Sequence, residues 1–487
     1  MLHIVHLNDT EGPITEVWPP VATAVRALRE AGRCDVLLHA GDVPLGSPAA
    51  EATVRIMNTF GFDAVALGNH DLNDGVGALC AQAQRLQAPI LCANVSGAPP
   101  GCVRPYRWLR RRGLRVAVIG ITLPDLPLYQ AARLTSGLTF HPAAEVLRAL
   151  VPRLRPHAAV VVVLSHCGYD ADVELARHVP GIDLIVGGHN HQLVPAPVAV
   201  GRTWVVQAGA EGAYVGWLAV QHEGRLEVTG GLLPMAGLAP DAHTLALGAP
   251  AVRDAAALAV VGYTATDLSS ATYAQETPLG NLTADLMRAY AGTDLALLRC
   301  ATVINSLGAG PIRQHDLSQL NHCGTDQVAR LYLTGQELVK VLECGARGEY
   351  FLLTTSGARV TYDAARPEGQ RVVAVQVGDQ LIDRERRYSV ACSEVLAHGT
   401  GGFLPLRGKR HELLPHTIAE LLAQHIRAHD AIRPTLDGRL VLHGRLPGAR
   451  CCQSPRPAHD LEGTTHGLDG LLQEHLRALV AESRQRA

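Results

Sequence analysis

Seven residues of this chain are donors of the kind that hold divalent cations, and they fall in five short clusters. These are Asp9 with Glu11, then Asp42, Asn69, His166, and His189 with His191. No thiolate joins them in pattern, and the mix of carboxylate, amide and imidazole suits a pair of Mn, Fe, Zn, Co or similar ions. Asp9/Glu11 and His189/His191 stand at i and i+2, so both members of each pair can face inward from an irregular loop. A carboxylate such as Asp42 can bridge two ions. Two ions about 3.5–4 Å apart acidify a shared water and clamp phosphoryl oxygens during in-line attack. His70 follows Asn69 directly, and imidazole is the usual group for proton work near neutral pH.

The elements that must position these groups repeat one grammar: a short apolar run, a polar cluster, then a helical stretch. Ile4 to Leu7 leads into Asn8-Asp9-Thr10-Glu11-Gly12, and a helix is expected over Val21 to Ala31. Val36 to His39 leads into Ala40-Gly41-Asp42, with Ser47-Pro48 opening a helix through about Phe60. Ala64 to Leu67 leads into Gly68-Asn69-His70-Asp71. Ala158 to Leu164 leads into Ser165-His166-Cys167-Gly168, and Ile182 to Val186 into Gly187-Gly188-His189-Asn190-His191. Strands alternating with helices predict an α/β sandwich with its site at the carboxyl ends of the strands. A lone Asp after a strand is ordinarily a helix cap and a lone His an ordinary surface residue. His3, His6, His39, His141, His157, His178 and His222 are read that way. Five ordered clusters at five strand ends are not.

Composition narrows the function. The chain of 487 residues carries a net charge of -2 and only 4% aromatics, which gives no electrostatic case for a nucleic acid polymer or a membrane as partner. Lys340 and Lys409 are the only lysines, so a phosphate clamp would be built from Arg. No signal peptide and no apolar run of transmembrane length is visible, and the 11 scattered cysteines read as reduced thiols of a cytoplasmic protein. The expected organisation is a first domain over 1–231, a linker over 232–250, a second α/β domain over 251–443, and a tail over 444–487. The tail ends in an amphipathic helix with Leu468, Leu471, Leu472, His475, Leu476 and Leu479 on one face. In the second domain helices are expected near 279–291 and 334–345, and strands near 358–362, 372–377 and 388–392.

Asn8-Asp9-x-x-Gly12, Gly41-Asp42, Gly68-Asn69-His70-Asp71, Ser165-His166 and Gly187-Gly188-His189-Asn190-His191, with Glu276 to Leu282 downstream, resemble a known pattern. It is that of the two-domain 5′-nucleotidase and UDP-sugar hydrolase family, whose first domain is a calcineurin-like metallophosphoesterase. The resemblance spans about Leu2 to His443. It implies a four-layer α-β-β-α sandwich followed by an α/β C-terminal substrate-binding domain. It further implies phosphate removal from nucleotides or related phosphomonoesters by metal-activated hydroxide. By resemblance, Asp9, Asp42 and His191 hold one ion, with Glu11 where the family usually has His. Asp42, Asn69, His166 and His189 hold the other. The ions are expected to be Mn, with Zn, Fe, Co or Mg as substitutes, and Glu11 makes the set harder. His70 sits beside the scissile phosphate.

Three departures accompany the resemblance: Glu11 itself, Asn73 and the substrate clamp. The family's catalytic His is commonly paired with an Asp three residues on, where this chain has Asn73. Asp71 or Asp74 is the substitute partner expected here, with a lowered rate. In the second domain the family clamps a base between two aromatic rings, and Val395 takes one of those places. Arg313, Arg359, Phe351, Phe403 and Asn305 remain the substrate-binding candidates. Two other readings stand beside the phosphoesterase: a thiosulfohydrolase of the sulfur-oxidation type, and a relative that binds metal or ligand with weakened or no catalysis.

Overall fold

The computed structural model describes residues 1–446 except 44, 46–49, 127–133, 224, 254–258, 269–274, 301–306, 314–315, 318–325, 348–351, 400–401 and 445. Asn305, Phe351, Ser47, Pro48 and the tail helix therefore lie outside the described residues. The described chain forms two compact units, one within residues 1–251 and the other from 252 onward.

The first unit holds two six-stranded sheets. In chain order the strands of one are Leu2–Leu7, Val36–His39, Ala64–Ala66 and Ile90–Leu91, extended on the other side by Tyr214–Glu223 and Arg225–Pro234. The other contains Tyr106–Arg111, Leu114–Thr122, Val160–His166, Leu184–Val186, Val198–Val200 and Thr203–Val206. Central neighbours pair in parallel, as Ile4 with Val36 and Val118 with Val162. Strands buried on both faces read as continuous apolar runs, and alternation sorts their side chains. Leu2, Ile4, Val36, Leu38, Val116, Val118, Val160 and Val162 fill one core between the sheets. Ala117, Ile119, Val161, Val163 and Ile185 face outward against helix Ala143–Leu154, through Leu147 and Val151. Helix Ile14–Glu30 covers the first sheet, with Trp18 edge-on to Phe60 and Phe62. Four layers result, as expected.

Several details differ from the sequence reading. The first helix begins at Ile14, seven residues before the expected start, and accommodates Pro19 and Pro20. The segment 232–250, expected as a linker, is structured at both ends. Its start completes strand Arg225–Pro234, and helix Ala242–Arg253 follows. Asp241 anchors that helix by accepting Thr244 N–H at 2.7 Å and pairing with Arg26. His3, His6 and His39 are buried rather than at the surface; apolar neighbours in a strand do not reveal which imidazoles point inward. Cys80 and Cys102 form a disulfide, which corrects the expectation of reduced thiols for this pair. The six other described cysteines are free.

The second unit carries a five-stranded sheet in which Leu295–Arg299, Arg387–Ser393 and Gln327–Thr334 are central. Ala296, Leu298, Val328 and Ala391 face helices Pro278–Ala291 and Ile418–Ala428. Leu295, Leu297, Ala329, Leu331 and Val390 face a second core that includes helix Gly335–Gly345. Helix starts follow capping chemistry: Thr334 with Glu337 and Thr417 with Glu420 each form a reciprocal capping box. The last of these helices was missed from sequence. No helix among the described residues is long and apolar enough to cross a membrane.

Candidate metal centre

Both sheets of the first unit aim their strand ends at one place. Asp9 follows the strand ending at Leu7, Asp42 the strand ending at His39, and Asn69 the strand ending at Ala66. His166 closes strand Val160–His166 of the other sheet, and His189 follows Leu184–Val186. The loops are latched to one another: Asp9 N–H donates to Gly41 O at 3.0 Å, Thr10 N–H to Asp42 O at 3.0 Å, and His189 N–H to Asp9 Oδ2 at 3.0 Å. Asp9, Asp42, His189 and His191 adopt φ of 50°, 55°, 85° and 56°, a region L-residues seldom occupy. Such strain costs on the order of 1–3 kcal/mol per residue and persists where the surroundings over-determine it. Close approach explains Gly68: a Cβ there would stand 2.1 Å from Asp42 Oδ1.

One donor set converges tightly. His166 Nε2 lies 3.0 Å from Asp42 Oδ2 and 3.2 Å from Asn69 Oδ1, and His189 Nδ1 lies 3.0 Å from Asn69 Oδ1. Donors bound to one ion at about 2.0–2.2 Å stand about 3 Å apart along a polyhedron edge, so these spacings fit a cation. The ring of His166 is oriented by its Nδ1–H, which donates to Ala40 O at 2.7 Å and leaves Nε2 to face the other donors. A second set, Glu11, Asp42 and His70, offers one atom each within 4.8 Å of the others. Asp9 and His191 approach each other at 3.6 Å (Oδ1 to Nε2), with His191 partly exposed.

Burial and close charges dominate the electrostatics of this cluster. Burial, followed by the charges of Asp42 and Asp9, raises Glu11 well above the ordinary carboxylate range, and burial raises Asp9. Burial opposes charge on Asp42 too, but the imidazoles of His166 and His70 hold its carboxyl far below that range. Against its own burial, His166 is lifted to about 10, chiefly by Asp42. His189 is pushed down to about 3 by burial and by the neighbouring His166, which keeps it in the neutral, ligating form. A bound cation would relieve the crowding of Asp9, Glu11 and Asp42.

His70 opens a short helical turn, and its N–H donates to Asp42 Oδ1 at 2.8 Å. Its Nδ1 lies 3.3 Å from Asn73 Nδ2, and its Nε2 lies 3.5 Å from Glu11 Oε1. Asn73 thus occupies the partner place that a carboxylate was expected to fill. Asp71, expected among the catalytic residues, is fully buried and accepts Gly68 N–H at 2.7 Å, so it braces the turn that carries Asn69 and His70. Sequence reasoning missed Asn8, which donates to Asp9 Oδ2 at 2.6 Å and accepts Ala208 N–H at 2.9 Å. Its place beside Asp9 was the available signal.

In the second unit, Arg313 and Arg359 are exposed on strands Gly310–Arg313 and Ala358–Asp363. Phe403 is completely buried in the core with Leu396 and Leu406, which corrects its assignment as a stacking surface. Val395 is also buried.

Two facing sheets whose strand ends present carboxylate, amide and imidazole donors around one centre define a metallophosphoesterase. Residues 2–193 match the calcineurin-like phosphoesterase family, and residues 260–406 match the 5′-nucleotidase C-terminal domain. The chain belongs to this two-domain family and is a phosphoester hydrolase whose family employs divalent metal ions. It is 27% identical to the protein UshA of Yersinia enterocolitica, over 82% of this chain and 84% of that one. It is 26% identical to the trifunctional nucleotide phosphoesterase YfkN of Bacillus subtilis over 90% of this chain, which spans 35% of that longer protein. Among solved structures it resembles a 5′-nucleotidase precursor from Thermus thermophilus, with a TM-score of 0.77, 26% identity, and 91% and 99% of the two chains covered.

Proposed function

We propose that the chain removes phosphate from 5′-nucleotides or closely related phosphomonoesters, using two divalent ions. The observation that carries this reading is the convergence of Asp42, Asn69, His166 and His189 donor atoms at 3.0–3.2 Å from four separate strand ends. Asp42, Asn69, His166 and His189 would hold one ion, and Asp9, Glu11, Asp42 and His191 the other. Three carboxylates in the set favour Mn or Mg-like ions over Zn. When bound, the ions supply an acidified water and positive charge for the phosphoryl oxygens.

The chain's own residues do the rest. His166 is oriented by the Ala40 carbonyl, and Asp9 by Asn8. His70 is the group that touches the phosphate. Held between Asn73 and Glu11, it presents an imidazole to the ester oxygen, where it donates a hydrogen bond or proton as charge develops. Asn73 positions this ring without the charge stabilisation of a carboxylate, which lowers the rate without abolishing it.

The substrate class follows from the relatives named as nucleotidases and phosphoesterases. The likeness to a thiohydrolase, SoxB of Thermus thermophilus, is 23% identical and bears on fold alone. Turnover of AMP, UDP-glucose, a cyclic nucleotide, a sugar phosphate and p-nitrophenyl phosphate, each with added Mn, tests the proposal. AMP or UDP-glucose is expected to lead. Equal rates on all five would remove nucleotide specificity, and no hydrolysis of any would overturn the reading.

A further inference from the structure

Asp172 stands in the first turn of helix Tyr169–His178 and is fully buried. A polar group in such a place is costly unless its contacts compensate, and its contacts lead to two loops of the centre. Ser165 Oγ–H donates to Asp172 Oδ1 at 2.5 Å, and the same hydroxyl accepts Cys167 N–H at 3.2 Å. These two bonds straddle His166. Asp172 N–H donates to Gly168 O at 3.0 Å, closing the loop on its far side. Among the described residues, Oδ2 has no hydrogen-bond partner; it lies against Gly187, where an added Cβ would come within 2.3 Å of it. Gly187 is two residues before His189. One buried side chain therefore touches both the loop that carries His166 and the loop that carries His189.

We infer that Asp172 is a positioning residue: through Ser165 on one side and Gly187 on the other it sets the separation of the His166 and His189 loops, and with it the affinity for the divalent ion. The inference rests on the metal-centre reading proposed above. Ligating imidazoles owe their aim to neighbours, and loss of such a neighbour costs about 10–100-fold in metal affinity. His166 already has one brace, the Ala40 carbonyl on its ring. Ser165 and Asp172 brace the backbone from which that ring projects.

The test is Mn²⁺ binding by calorimetry to the full chain, with thermal melting of each variant in the absence of metal. Ser165→Ala and Asp172→Ala are each expected to raise Kd by about 10–100-fold. The double variant should lose no more than Asp172→Ala alone, because the contact through which Ser165 acts is already removed by Asp172→Ala. Asp172→Asn keeps an acceptor for Ser165 and is expected to retain near-parental affinity. Should Asp172→Ala fail to fold, Ser165→Ala and Asp172→Asn decide the matter. Parental Kd in Ser165→Ala, or losses that add in the double variant, would overturn the inference, as would a parent chain that binds no Mn²⁺. A parent that binds Mn²⁺ yet hydrolyses no phosphoester would refute the proposed reaction and leave the Asp172 result readable.

Discussion

Among the described residues, every non-glycine residue at positive φ lies in the first unit, and four of the six are Asp9, Asp42, His189 and His191. The described residues of the second unit have none. One of their polar clusters is instead locally paired. Arg439 donates to Asp285, Asp437 and the carbonyls of Asn281 and Thr355. Glu276 accepts the N–H groups of Gly438 and Arg439 and the Asn281 amide. In the first unit, buried carboxylates face one another and the backbone is strained to aim them; in this cluster of the second, Arg439 meets two carboxylates of opposite charge. The contrast teaches that, among the described residues, backbone strain outside glycine is concentrated where a cation can relieve the crowding it creates.

That comparison can be broken in graded ways. The largest effect should come from Asp42→Asn, which removes the carboxylate common to both donor sets. Ion binding should fall below detection, and the melting temperature without metal should drop, since the Asp42 carboxylate is paired with His166 and His70. Ion binding left intact would reverse the argument. Reducing the Cys80–Cys102 disulfide, whose sequence separation is 22, should destabilise the first unit by about 3 kcal/mol and leave the second unit's transition in place. Calorimetric scans with and without a phosphine reductant would show this. Arg439→Met should cost the second unit about 1–3 kcal/mol through hydrogen bonds left unmade, with Mn²⁺ affinity unaltered.

The smallest effect concerns pH. Burial pushes Asp326 up to about 7, despite the Val395 N–H and Arg299 that favour its charge. A carboxyl raised in the folded state binds a proton that the unfolded chain has released. Its contribution is therefore full below about pH 4, declines as pH climbs toward 7, and is constant above that. Asp326→Asn should flatten this slope in denaturant titrations of the second unit; an unchanged slope would show that Asp326 is ionised in place.

What the sequence disclosed follows from what apolar runs encode. A buried strand ending in Gly or a polar cluster marks a position in space, so Asp9, Asp42, Asn69, His166 and His189 were legible as one set, as were the four layers. Side-chain direction on irregular loops is not encoded that way. Asp71 looked catalytic beside His70, yet its carboxylate serves Gly68 N–H. Phe403 follows a Gly-rich stretch suggestive of a binding loop, but its ring is core. Cys80 and Cys102 are separated by a helix end and two short strands, and only the fold brings them together. Asp172 drew no attention because a carboxylate early in a helix reads as an ordinary first-turn residue.

The central claim is that the first unit holds two ions in a protein-built cradle and that His70 acts on the phosphoester beside them. Elemental analysis of His70→Ala together with its kcat on p-nitrophenyl phosphate tests it most directly. The account predicts two ions per chain retained, with kcat reduced about 10²–10⁴-fold. Full turnover with both ions in place would contradict it.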